Sequence, residues 1–132
     1  SVLVGDKEIK DQALRIRKIL GGGMRQAGFM AAAGIYALDH QIERLAEDHR
    51  KAKEIGVILQ GLPFTKKVET IETNIIIFEI DEDYLSSEDF IEKLRDKDIH
   101  IIGMGSSKLR IVTHMDYTDQ MHDTLLKTLK TL

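Results

Sequence analysis

The run NIIIFEI at Asn74–Ile80 decides the fold. Before it, apolar residues recur every three or four positions, as in a helix, whereas here they follow one another without a break, as in a buried strand. β-branched and aromatic residues in an uninterrupted run of this length are typical of a buried strand. Outward from it, the same signals predict strands at Lys67–Ile71, Ile99–Gly103 and Leu109–Thr113, with one helix between the second and third strands and another after the fourth. Residues 61–132 are therefore predicted to form a small α+β domain, a sheet with helices on one side.

Two helices are predicted before this sheet. Apolar residues recur at spacings of three and four between Lys7 and Leu20, and three glycines end that helix. From Met24 to Leu38 apolar residues would cover every side of a helix, and beyond Leu38 they would cover only one stripe along it. We interpret residues 24–60 as one long helix that is buried all round in its first half and amphipathic in its second.

The helical spacing also predicts which side chains face the core. In the second half of the long helix, one row of apolar side chains should face the core. The last helix should begin near Thr118 and bury one apolar face. A serine at position 86 or 87 should cap the helix between the strands. The two predicted faces are Leu38, Ile42, Leu45, His49 and Ala52 in the long helix, and Met121, Leu125, Leu129 and Leu132 in the last.

The composition indicates a soluble globular protein. The 132 residues are 42% hydrophobic and 31% charged, with no cysteine and a formal net charge of -3. A chain without cysteine forms neither a disulfide nor a thiolate metal site, and a cytoplasmic location fits this composition. The apolar stretch 21–38 contains Arg25 and is shorter than the ~20 apolar residues that span a bilayer, so we expect no membrane segment.

A compact basic patch precedes the apolar stretch. Residues 7–25 carry six basic side chains against two acidic ones, and the run GGGMRQ at 21–26 joins the two helices. Glycine N–H groups at a helix N-terminus, with Arg25 and Lys18 nearby, would bind a phosphate or a carboxylate. A flexible hinge explains the glycines equally well, and Lys18 taken alone is better explained as a solvated cation. A patch of this size suits a small anion rather than a nucleic acid.

Arg110 is the other candidate for anion binding. Strand alternation places Arg110 on one face with Val112 and His114, opposite the apolar Leu109 and Ile111. An arginine among apolar strand residues is costly unless an anion pairs with it, and that anion is either a ligand carboxylate or a nearby acidic side chain. The histidines lack the spacing of a metal site. The residues by themselves therefore indicate an anion-binding α/β unit without a catalytic centre.

Several segments resemble the low-specificity L-threonine aldolases, in the same order along the chain. They are RIRKILGGGMRQAG at 15–28, AAAGIYAL at 31–38, RLAEDH at 44–49, TNI at 73–75 and RIVTHMD at 110–116. The resemblance covers essentially the whole chain, and the glycine-rich segment is highly specific.

The resemblance implies a pyridoxal-phosphate enzyme of the aspartate-aminotransferase-like fold, which cleaves L-threonine and L-allo-threonine to glycine and acetaldehyde. It implies that Arg110 binds the substrate carboxylate. It also implies that Lys18 and Arg25 reach the cofactor phosphate of a neighbouring subunit in a homo-oligomer, a dimer or tetramer. It gives His114 no role.

The resemblance also implies a domain division. Residues 1–23 would be the end of the cofactor-binding large domain, 24–60 a connecting helix and 61–132 the C-terminal small domain.

One departure from the family concerns the Schiff-base lysine, which lies before the position that matches Ser1. No lysine of this sequence matches it, so we expect the chain alone to be inactive and to be the C-terminal portion of the enzyme. The apolar start at Val2–Val4 is interpreted as a strand cut from a larger sheet. Two alternatives stay open: another pyridoxal-phosphate-dependent β-eliminating or amino-acid lyase, and a non-catalytic module for oligomerisation and anion binding.

Overall fold

The structure is a computed structural model, and it describes residues 3–132 of the chain. The described residues divide into two compact units, one ending at Ile42 and one running from Glu43 to Leu132. Within residues 3–132 there are five helices and one four-stranded antiparallel sheet. The predicted α/β class with a small sheet is therefore confirmed.

The first unit contains the helices α1 (Lys7–Ile19) and α2 (Gly28–His40). After α1, Gly21 has a φ of +79°, and the N–H of Gly22 donates to the carbonyl oxygen of Arg17 at 2.8 Å. A left-handed residue here closes the helix, and glycine adopts that conformation without strain. The glycines therefore end the first helix as predicted.

Val2–Val4 form no strand within the described part of the chain, and their interpretation as a strand cut from a larger sheet stays a prediction. Leu3 and Val4 belong to no strand, and Val2 lies outside the described residues. Continuous apolar character without paired neighbours does not make a strand, because the backbone N–H and C=O groups need partners.

The single long helix predicted for residues 24–60 is also wrong, because two helices occupy this stretch. α2 ends at His40, residues 41–44 form a turn, and α3 runs from Leu45 to Gln60. The physical reason is the change of apolar pattern: α2 is apolar on all sides and none of its residues is buried, whereas α3 buries one face in the second unit. The division into 1–23, 24–60 and 61–132 stays a prediction.

The second unit holds the sheet, whose strands lie in the order β1-β2-β4-β3. Each predicted strand overlaps an observed one with shifted ends, and the third is reduced to two residues. The elements of this unit after α3 are β1 (Thr65–Val68), β2 (Ile75–Ile80), α4 (Ser87–Arg95), β3 (Ile102–Gly103), β4 (Lys108–Val112) and α5 (Asp119–Leu129).

One face of the sheet is buried and the other is open. Ile76, Phe78 and Ile80 of β2 point into the core, together with Leu109 and Ile111 of β4. The side chains of α3, α4 and α5 complete this core, so the helices cover one side of the sheet as predicted. No helix in the described part of the chain is both long enough and apolar enough to cross a membrane.

Hydroxyl side chains start the two later helices. The Oγ atom of Ser86 accepts a hydrogen bond from the N–H of Asp89 at 3.0 Å, and the hydroxyl of Thr118 accepts one from the N–H of Met121 at 3.2 Å. Each cap satisfies a backbone donor that the first turn leaves without a helical partner. The predicted serine cap and the start near Thr118 are confirmed.

Both predicted inner faces are partly wrong. In α3 the buried residues include Asp48 and Lys51, whereas His49 is half-buried. In α5 His122 is buried and Met121 is 54% exposed, although Leu125 and Leu129 face inward as expected. Helical periodicity predicts that apolar residues are buried in preference to polar ones, but here Lys51 and His122 have hydrogen-bond partners and can be buried.

Candidate functional site

Arg110 lies in the middle of β4, on the open face of the sheet. Its register partners are Ile77 of β2 and Ile102 of β3. The side chain is half-buried, whereas the flanking Leu109 and Ile111 point into the core. The predicted alternation along this strand is confirmed, and it presents the guanidinium between apolar neighbours.

The Nε atom of Arg110 is buried and has no hydrogen-bond partner. Among the described residues no carboxylate lies within ion-pair distance of this guanidinium. A buried donor without a partner costs about 1–3 kcal/mol, and more when the group is charged. This argues against pairing with one of the nearby acidic side chains and for a ligand that supplies the anion.

Arg110 lines a cleft of about 760 Å³. Its walls come from β3, β4, the segments before β3 and after β4, and α5, so every lining residue belongs to the second unit. The lining contains apolar side chains together with hydroxyl, amide and imidazole groups. The apolar residues are Ile99, Ile101, Ile102, Ile111, Val112, Met121 and Leu125, and the uncharged polar ones include His100, His114, Thr118, Gln120 and Thr124.

His114 lines the same cleft, as its strand face predicts. Its side chain is 59% exposed, and its Nδ1 atom accepts a hydrogen bond from the N–H of Asp116 at 3.3 Å. His100 also lines the cleft, although no sequence pattern selects it.

Lys18 and Arg25 belong to the first unit, and both are exposed. Lys18 lies in the last turn of α1, and Arg25 lies in the turn between α1 and α2. Because Arg110 belongs to the other unit, the structure describes the two parts of the predicted site separately.

The predicted role of the glycines as anion donors at a helix N-terminus is wrong. α2 begins at Gly28, so Gly21–Gly23 do not open it. The N–H groups of Gly21 and Gly22 donate instead to the carbonyl oxygens of Lys18 and Arg17, at 3.2 and 2.8 Å. The glycines thus close α1, where the negative end of the helix dipole favours cations such as Lys18.

A polar network surrounds the buried side chains of Lys51 and His122, and the sequence pattern did not predict it. It joins α3 to the segment after β4 through side chains that local periodicity assigns to solvent. The only local signal was the pair Asp48 and Lys51, which occupy helical positions in phase with Ala52, Ile55 and Leu59.

Hydrogen bonds within this network lower the pKa values of two carboxylates. The Nε2 atom of His122 lies 2.8 Å from Oε2 of Glu54, and Arg50 also bonds that carboxylate. His122 first, and then Arg50, lower the pKa of Glu54 below its ordinary value of 4.5. A hydrogen bond from Lys51 likewise lowers the pKa of Asp119, while burial raises the pKa of the Tyr117 hydroxyl. No group of three or more possible metal ligands occurs within the described ranges.

A comparison with known protein families identifies the class to which the chain belongs. Residues 1–83 match the family model of the β-eliminating lyases, and the chain belongs to that family. The likeness to solved structures agrees: an ornithine aminotransferase from Toxoplasma gondii matches 67% of this chain and 23% of its own length, with a TM-score of 0.54 at 20% identity. The aminotransferase-like fold is therefore confirmed.

The resemblance to the threonine aldolases is confirmed as well. The chain is 37% identical to a probable low-specificity L-threonine aldolase of Arabidopsis thaliana, over 90% of this chain and 34% of that protein. It is also 37% identical to the low specificity L-threonine aldolase of Escherichia coli K12, over 88% of this chain and 33% of that protein. The chain thus spans about a third of the length of these relatives.

Proposed function

We propose that this chain is part of a pyridoxal-phosphate-dependent aldolase that cleaves L-threonine and L-allo-threonine to glycine and acetaldehyde, with Arg110 binding the substrate carboxylate. The observation that carries the proposal is the buried Nε atom of Arg110, which has no partner and lines the cleft. Family membership and the fold imply pyridoxal phosphate as the cofactor.

Arg110 can bind a carboxylate with two parallel N–H donors, which fixes the plane of an amino acid as well as its position. Ile77 and Ile102 flank the guanidinium, and such apolar neighbours strengthen the ion pair by keeping water away. An amino acid held in this way keeps its α-carbon and β-carbon in one orientation. When bound, pyridoxal phosphate supplies the electron sink that lets a bond to the α-carbon break.

Lys18 and Arg25 are proposed to contact the phosphate of that cofactor, from one subunit into the next. Their chemistry fits a phosphate group, because both are exposed cations and arginine offers a planar fork of donors. The homo-oligomer that this requires is supported by α2, whose apolar surface includes Phe29 at 89% exposure. The cytoplasmic location stays a prediction.

The chain by itself is proposed to be inactive, because no lysine matches the one that binds the cofactor in the family. Lys51 is buried, but its Nζ atom already donates to the carbonyl oxygen of Tyr117 and to Asp119. Adding pyridoxal phosphate to the 132-residue chain should therefore give no absorbance band of lysine-bound cofactor. Such a band would contradict the proposal.

The carboxylate role is tested by the variant Arg110→Ala in the protein expressed from its complete coding sequence. Loss of a charge-assisted bidentate contact should raise the KM for L-threonine by about 10- to 100-fold. The matched control is Arg95→Ala, which removes an exposed arginine of α4. A KM that stays within about twofold of the unchanged protein would refute carboxylate binding by Arg110.

A second candidate function follows from the family itself, whose model describes β-eliminating lyases. Such an enzyme would remove a leaving group from the β-carbon instead of breaking the bond between the α- and β-carbons. The products distinguish the two reactions: glycine and acetaldehyde indicate the aldolase, whereas a keto acid and ammonia indicate elimination.

A further inference from the structure

Lys51 is a charged residue on the inward face of α3. Its side chain is 7% exposed, whereas Lys53 on the same helix is exposed. Taking an ammonium group out of water costs several kcal/mol unless nearby groups compensate for the lost hydration. The positions of its partners therefore show what the buried charge holds in place.

The partners of Lys51 lie mainly in the segment after β4. Its Nζ atom donates to the carbonyl oxygen of Tyr117 at 2.9 Å and pairs with a carboxylate oxygen of Asp119 at 2.8 Å. The same atom lies 5.6 Å from the centre of the Tyr117 ring, within the range of a cation–π contact. A carboxylate of α3 itself, that of Glu47, is more distant at 3.9 Å.

The other end of this segment is also attached to α3. The buried hydroxyl of Thr113 donates to the carbonyl oxygen of Asp48 at 2.8 Å. The side-chain amide of Asn74 donates to the carbonyl oxygen of Thr113 at 2.6 Å. Residues 113–117 are therefore held at both ends, by Thr113 and by Tyr117.

The held segment forms part of the cleft wall beside Arg110. His114, Tyr117 and Thr118 line the cleft. The segment begins at Thr113, three residues after Arg110 and directly after the end of β4. A turn closes the segment, because the N–H of Tyr117 donates to the carbonyl oxygen of His114 at 2.9 Å. Any movement of the Tyr117 carbonyl would therefore change the lining of the cleft to which Arg110 also contributes.

We propose that Lys51 is a positioning residue for the carboxylate cleft: it holds the Tyr117 end of residues 113–117 against α3 and so maintains the shape of the cleft that Arg110 lines. The inference rests on the proposed function of Arg110. The partner carboxylate of Asp119 is 82% exposed, so this ion pair contributes little to stability, and the effect of Lys51 is expected in the geometry of the site.

The test is Lys51→Met in the protein expressed from its complete coding sequence. Methionine keeps most of the side-chain length but removes the charge and the donors. A wall that is no longer fixed should raise the KM for L-threonine about tenfold while kcat changes less than about threefold, since binding depends on the placement of a few atoms. Lys51→Arg, which keeps charge and donors, should restore at least part of the lost affinity.

The control is Lys53→Met, which should change neither constant. A further variant, Thr113→Val, removes the other attachment and should also raise KM; it replaces Lys51→Met if that protein does not fold. If Lys51 acts through the cleft, combining Lys51→Met with Arg110→Ala should raise KM little beyond Arg110→Ala alone.

The outcomes separate the two proposals. If Arg110→Ala raises KM and both Lys51→Met and Thr113→Val leave it unchanged, the positioning role is wrong and the carboxylate role stands. If Arg110→Ala itself leaves KM unchanged, the carboxylate role is wrong, and the positioning role falls with it. If Lys51→Met lowers both kcat and the midpoint of thermal unfolding but leaves KM unchanged, Lys51 only supports the fold.

Discussion

Replacing Phe90 with leucine should destabilise the second unit through its aromatic cluster. Phe90 of α4 is 0% exposed, and its ring centre lies 5.4 Å from that of Phe64 and 5.9 Å from that of Phe78. Each aromatic pair is worth about 0.5–1.5 kcal/mol beyond the area it buries. The smaller side chain adds a cavity term, so we expect a loss of about 2–3 kcal/mol in the free energy of unfolding.

That loss should lower the midpoint of thermal unfolding by about 10–20 °C for a unit of this size. Amide hydrogen exchange of β2 is the more direct assay, because it reports the opening of the second unit separately from the first. The control is Val57→Ala in α3, where the side chain is 68% exposed and the change should stay within about 0.5 kcal/mol. Similar effects at the two positions, or a change under about 1 kcal/mol at Phe90, would refute the reasoning.

Two further predictions concern acid stability and helix formation. The lowered pKa of Glu54 means that its contribution to stability is present above its ordinary value of 4.5 and is lost as the pH falls through the lowered value. Glu54→Gln should therefore flatten the fall in unfolding free energy below about pH 4.5 in acid titration, and an unchanged profile would contradict the pairing with His122. In α2, Gly34 has no other atoms within 4 Å of an added Cβ, so Gly34→Ala should stabilise the helix by about 0.5–1 kcal/mol. After α1, Gly21 has a φ of +79°, so Gly21→Ala should destabilise that helix end by about 1–2 kcal/mol. Circular dichroism should show a higher helix content for the first variant and a lower one for the second, and a gain for Gly21→Ala would contradict the assigned cap.

The sheet and the face of Arg110 could be predicted because both follow from local spacing. A strand has a period of two residues, so the sequence around Arg110 determines which neighbours share its face. The helix caps follow from equally local chemistry, as Ser86 shows. These features need no knowledge of the distant chain.

The network around Lys51 could not be predicted in this way. Lys51 meets Tyr117 across 66 positions, and His122 meets Glu54 across 68. A helical pattern marks such polar residues as solvent-facing unless their distant partners are known. The prediction for the glycine run was wrong for a related reason. The hydrogen-bond partners of its N–H groups depend on the left-handed φ of Gly21, a conformation that glycine permits but does not require.

The strand order also affects how the protein behaves at high concentration. An uncovered strand at the margin of a sheet can recruit a strand from another molecule and so begin aggregation. Here one margin, β1, carries Lys66 and Lys67, and the other, β3, has two residues. Charge at one margin and brevity at the other both discourage such recruitment, so loss of native protein through strand addition should be slow while the second unit is folded.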